Sequence, residues 1–130
     1  MSPKRPHNAL EVMRSVPYFA LLDAAAMEAV AGKAIRRHYS RGELIFIEGD
    51  PCAGLHVIQE GRLKLYKVSL EGREQIVRLL GPGEFFNEVA VFDRGSNPVS
   101  AMAALDTTVW VVGCSAMLDL MGTHLSLIHI

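Results

Sequence analysis

From Ala34 onward, glycine-bearing turns recur between short apolar or alternating segments, and that recurrence constrains the fold more than any other feature of the chain. The turns are Ser40-Arg41-Gly42, Glu48-Gly49-Asp50-Pro51, Glu60-Gly61, Leu70-Glu71-Gly72, Gly81-Pro82-Gly83 and Arg94-Gly95-Ser96. Each offers a glycine where a tight turn needs positive φ, which costs glycine nothing sterically. Between them lie strand candidates over 43–47, 55–59, 74–80, 99–104 and 107–113, and Arg62-Leu-Lys-Leu alternates strictly, as a sheet with one wet face does. Short strands joined by such turns predict an antiparallel sandwich or roll.

Helices flank the strands. Residues 9–16 and 23–31 read as two helices, the second with Asp23 as N-cap, Leu22, Met27 and Val30 facing inward and Gly32 as a stop. Ser115 reads as the N-cap of a last helix through Met117 and Leu120. Residues 1–8 form a polar, proline-marked tail expected to be disordered. At 130 residues, 50% hydrophobic and 21% charged, the chain is expected to be one globular domain with a real core. The net charge of −1 gives no global electrostatic case for nucleic acid. No apolar run approaches the roughly 20 residues of a membrane helix, and no signal-peptide core follows the basic N-terminus, so a cytoplasmic location is expected. Cys52 and Cys114 stand alone in sequence; a disulfide between them is poorly motivated in a cytoplasmic chain, so Cys114 is expected as a small buried residue at a strand end and Cys52 as a loop thiol.

One segment carries chemistry: Leu80-Gly-Pro-Gly-Glu-Phe-Phe-Asn-Glu-Val-Ala-Val-Phe-Asp-Arg-Gly-Ser-Asn-Pro-Val-Ser-Ala. A glycine-proline-glycine turn leads into a short apolar segment starting at Asn87-Glu88, and the free N–H groups of such a helix start favour anions. The segment resembles the phosphate-binding cassette of cyclic nucleotide-binding domains, as found in Crp/Fnr-type bacterial transcription regulators. The resemblance extends from about Val16 to Met121. It includes Phe46-Ile-Glu-Gly-Asp for the family's hydrophobic–x–glutamate–glycine–acid phrase, then Leu55-His-Val-Ile-Gln-Glu-Gly and Arg62-Leu-Lys-Leu-Tyr for the strands around a roll corner. It implies a double-stranded antiparallel β-roll flanked by helices, with residues 9–121 as the sensor domain and 122–130 as the start of a dimerisation helix. The terminal Leu125-Ser-Leu-Ile-His-Ile also reads as a translated sequencing-library adaptor, the alternative being a genuine amphipathic continuation of the helix.

The resemblance carries a ligand set over to Phe86, Asn87, Glu88, Val89, Ala90, Arg94, Asn97 and Ser100. Glu88 falls on the glutamate that accepts from the ribose 2′-hydroxyl, with a helix-cap role as the bland reading. The family's phosphate-pairing arginine is missing. Its place is taken by Asn97 or, one or two residues on, by Pro98 or Val99. Loss of a bidentate, charge-assisted pair costs several kcal/mol, roughly two orders of magnitude in affinity. The pocket is therefore expected to persist without standard cyclic AMP recognition, leaving a cyclic nucleotide or another small anionic effector as ligand. Arg94 is near enough in sequence to reach in, although a loop arginine is more often solvated.

The remaining candidates read as structural. His56 lacks the second histidine two residues away that a cupin-type metal site needs, and is expected as a surface or hydrogen-bonded residue. Ser100 and Ser115 sit in no nucleophile elbow. The basic run Arg36 to Arg41 reads as a solvated sheet face, and Phe85, Phe86 and Phe92 as core plugs around the cassette. The expectation is a non-enzymatic sensor with no metal. It would be a homodimer when full length, reaching DNA only through a helix-turn-helix beyond these residues. The alternatives are a regulatory module of a kinase, transporter or adaptor and, less favoured, a cupin-type enzyme.

Overall fold

The computed structural model describes residues 9–14, 16, 19, 23–87, 90–91 and 95–123. Eight strands are present among them: β1 (Ile35–Tyr39), β2 (Leu44–Phe46), β3 (Leu55–Glu60), β4 (Leu63–Val68), β5 (Glu74–Leu80), β6 (Phe85–Phe86), β7 (Ser100–Ala103) and β8 (Thr107–Val112). They form two antiparallel four-stranded sheets, ordered β1-β8-β3-β6 and β2-β7-β4-β5. Three helices, α1 (Ala9–Arg14), α2 (Ala24–Lys33) and α3 (Cys114–Thr123), complete the described elements. The expected antiparallel roll with flanking helices is the observed fold.

Apolar phase explains the layering. On β3, His56 and Ile58 point between the sheets, while Leu55 and Val57 join the opposite face, where Met13, Val16, Phe19, Met27, Val30 and Met117 pack. β3 is thus buried on both sides, which its nearly unbroken Leu-His-Val-Ile run requires. Between the sheets, Phe46, Ile58, Leu63, Leu80, Phe86, Val109 and Val111 form the second cluster.

The corners depend on glycine. Gly42, Gly49, Gly61, Gly72 and Gly83 all take positive φ, as the turn chemistry predicts, and Gly54 adds a sixth; Gly95, in the remaining expected turn, does not. Gly61 carries the chain from β3 in one sheet to β4 in the other. The neighbouring corner between β7 and β8 lies against it, so a Cβ there would collide with the Asp106 carbonyl oxygen and with Thr107. Thr107 fastens the two corners: its hydroxyl donates to the Arg62 carbonyl at 3.0 Å and accepts from the Arg62 N–H at 3.1 Å.

Several boundaries differ from the sequence reading. α1 ends at Arg14 rather than Val16, and α2 runs through Gly32 to Lys33. Asp23 caps α2 as expected, accepting the Ala26 N–H at 2.7 Å, with Met27 and Val30 buried beneath it. Ser115 is not the cap of the last helix. The Gly113 carbonyl accepts the Met117 N–H at 2.9 Å, so α3 starts at Cys114. The two cysteines, expected apart, are paired with each other as a disulfide. β6 was not anticipated as a strand, because two phenylalanines give no periodicity to read. Expectations for Leu22, Phe92 and the two termini fall outside the described residues, as does the side chain of Leu120. No helix among the described residues is long and apolar enough to cross a membrane.

Gly61→Ala is expected to destabilise the fold by about 3 kcal/mol, because it adds a backbone collision to the strain of positive φ. Urea denaturation checks this; a change under about 0.5 kcal/mol, the size of an ordinary surface substitution, contradicts it.

Candidate functional site

The cassette begins where β6 ends. Asn87 takes φ +73° and is buried, 8% exposed. Asparagine tolerates this left-handed conformation better than other non-glycine residues. Ala90 and Val91 are helical and buried, with the Val91 N–H directed to the Asn87 carbonyl at 3.4 Å. Pro51 and Ser96 then form an isolated bridge that returns the chain towards β7. Glu88, Val89 and Arg94 lie outside the described residues, so the helix-start N–H groups and the expected ribose contact have no structural account here.

Asn97, at 2% exposure, is turned into the protein. Its Oδ1 accepts the Ala53 N–H at 3.0 Å and the Asn87 Nδ2–H at 3.1 Å, and its Nδ2–H donates to the Ile47 carbonyl at 3.1 Å. Its backbone also pairs, N–H to the Asp50 carbonyl and carbonyl to the Gly49 N–H, both at 2.9 Å. Asn87 Nδ2 in addition donates to the Gly54 carbonyl at 3.0 Å. Asn97 thus cross-links the loop over 47–54 to both ends of the cassette. Ser100 is engaged similarly, its hydroxyl accepting the Glu48 N–H at 2.9 Å.

A cavity of about 130 Å³ opens beside this network, lined by Phe46, Phe86, Asn87, Arg78, Pro98 and Val99, with Leu65 and Phe85 completing its wall. Of the sequence-derived ligand set, Phe86 and Asn87 line it; Ala90, Asn97 and Ser100 do not. Asn87 Oδ1 is buried without a hydrogen-bond partner among the described residues. Arg78 supplies the cavity's only charge among the described lining residues. It pairs directly across β4–β5 with Leu65, while Leu80, two residues on, opposite Leu63, lies in the core. Arg78 thus shares the phase of Leu80 on β5. Its guanidinium meets Glu84 at 3.3 Å with both side chains well exposed, an ion pair worth at most about 1 kcal/mol and easily redirected.

His56 lies beneath the cavity floor. Its ring stands 5.3 Å from that of Phe46 and 5.0 Å from that of Phe86, and its Nδ1–H donates to the Gly54 carbonyl at 2.9 Å. Burial lowers its pKa to about 4, opposed by the Gly54 hydrogen bond and reinforced by the Arg37 charge. It is neutral near pH 7 and held within the core, which satisfies the hydrogen-bonded alternative expected for it rather than the surface one.

The two-sheet antiparallel roll thus holds a cavity beside the cassette. The family described as the cyclic nucleotide-binding domain matches residues 36–124, and the chain belongs to that family. The Cyclic AMP receptor protein of Thermus thermophilus is 35% identical over 73% of this chain, which spans 44% of that relative's length. The crystal structure of the Thermus thermophilus Catabolite Activator Protein superposes with TM-score 0.77 at 31% identity, covering 88% of this chain and 54% of that one. The N-terminal domain of a transcriptional regulator from Streptomyces coelicolor gives TM-score 0.78 at 28% identity, covering 90% and 84%. The chain therefore spans about half the length of the two Thermus thermophilus proteins.

Because His56 has a folded pKa near 4 and an unfolded one near 6.5, its neutral form supports the fold fully above about pH 6.5. Below that, the unfolded state takes up the proton first, and stability falls until about pH 4. Between pH 7 and pH 5 the chain is expected to lose about 2 kcal/mol more than His56→Gln does. Urea titrations at the two pH values measure this, and equal losses in both proteins contradict it.

Proposed function

We propose that the chain is the effector-sensing domain of a Crp/Fnr-like DNA-binding transcription regulator, and that its effector is a small organic anion other than standard cyclic AMP. The observation that carries this reading is the division of labour around the cavity. Asn97 is committed to structural hydrogen bonds, Pro98 and Val99 offer only apolar surface, and the positive charge comes from Arg78 on β5. A ligand suited to this site carries an anionic group for Arg78 and apolar surface for Phe46, Phe86, Pro98 and Val99. The cavity volume favours a small metabolite, since pockets for larger ligands run from about 300 Å³ upward.

In this reading the protein acts in the cytoplasm and binds rather than catalyses. Residues 9–121 are the sensor, and 122–130 begin a dimerisation helix or derive from an adaptor. Effector binding biases a homodimer whose DNA-reading heads lie beyond these residues. Glu88 and Arg94, both in the cassette, are further ligand contacts in this proposal.

Thermal unfolding with cyclic AMP, cyclic GMP, glycerate, citrate and glutamate tests the reading, since a ligand of the folded state raises the Tm. Expected is a rise with at least one of the three organic acids, absent in Arg78→Ala, and no shift with micromolar cyclic AMP. A micromolar cyclic AMP shift abolished by Glu88→Ala would overturn it.

A further inference from the structure

We propose that Cys52 and Cys114 are a reversible thiol pair whose disulfide fastens the loop beneath the cassette to the first turn of α3. The residues are 62 positions apart, yet the fold brings their Cα atoms to 6.2 Å, inside the span a disulfide requires, and pairs their sulfurs. They come from different segments that pack on the same helix-side core: Cys52 from the loop that enters β3, Cys114 from the start of the helix that follows β8. Both are only half-buried, so a small disulfide reagent can reach them.

The position of Cys52 gives the bond its consequence. The next residue, Ala53, donates its N–H to Asn97, and the one after, Gly54, accepts from both Asn87 and His56. Gly54 also packs so closely on β8 that a Cβ would lie 2.5 Å from the Val112 carbonyl oxygen. Three residues thus connect the sulfur to both ends of the cassette and to the ring under the cavity. α3 in turn packs against α2 on the other side of the sheet. Oxidation pins the 47–54 loop to α3; reduction leaves hydrogen bonds and packing to hold it.

The oxidant is a low-molecular-weight disulfide such as oxidised glutathione. The two cysteine thiols lose two protons and two electrons to form one S–S bond, and glutathione disulfide takes them up and departs as two molecules of glutathione. The inference that the bond is a switch rests on the cytoplasmic reading above, since disulfides there are usually transient or redox-sensing.

The test needs no effector, so its failure and failure of the effector reading are distinguishable. The purified chain is equilibrated with reduced or oxidised glutathione, acid-quenched, treated with N-ethylmaleimide and weighed by intact mass spectrometry. Expected are two adducts on the reduced chain, none on the oxidised monomer, and return to two after dithiothreitol. Cys52→Ser and Cys114→Ser each take one adduct after dithiothreitol and form no intramolecular bond. Oxidation should raise the Tm by about 10 °C, and should slow hydrogen exchange at the Ala53 amide about tenfold. Two adducts in oxidised glutathione, mixed glutathione disulfides in place of the internal bond, or cross-linked dimers overturn the proposal. A bond that forms but leaves Ala53 exchange unchanged overturns it too, because the link to the cassette is what it asserts.

Discussion

The hydrogen bond between the buried side chains of Asn87 and Asn97 is the constraint on which the site depends. Ten residues separate them, and the cassette lies between. Asn87 closes the exit of β6 in a left-handed conformation, and Asn97 holds the return towards β7 against the 47–54 loop. In a buried setting each of these amide bonds is worth about 1 kcal/mol when made and costs more when one partner is left alone. The network therefore ties the two ends of the cassette together from within the chain.

This arrangement also sets which groups line the cavity. An asparagine with both amide ends committed offers a ligand nothing, and the two residues after it are apolar. Charge reaches the cavity instead from β5, because Arg78 shares the phase of Leu80 at a β4–β5 register that shifts by one residue just beyond Leu65. The floor is aromatic, with Phe46 and Phe86 enclosing a neutral His56. The described lining is thus an apolar cradle with one cation, Arg78.

Much of this was legible in the sequence. The glycine turns marked the strand boundaries because positive φ is a local requirement, and Gly42, Gly49, Gly61, Gly72 and Gly83 meet it where they stand. The Asp23 cap and the inward Met27 and Val30 followed from helical spacing. What escaped was set by tertiary contact. β6 is a strand because β3 pairs with it, not because Phe85-Phe86 has a period. Gly32 continues α2 because a glycine without a left-handed conformation is no stop. Cys52 and Cys114 meet only once β3 and β8 lie side by side. Asn97 was visible as the residue standing in for an arginine, but its inward turn was not, since a sequence does not show which backbone groups of a distant loop await partners.

A double-mutant cycle on folding stability tests the central interaction most directly. Asn87→Gly removes the side chain while keeping the backbone conformation free of strain, and Asn97→Ala removes the other partner. If the pair holds the cassette, the two losses are coupled by about 1 kcal/mol. If they add to within about 0.3 kcal/mol, as independent sites do, the bridge does not organise the site and Asn97 is free to serve a ligand.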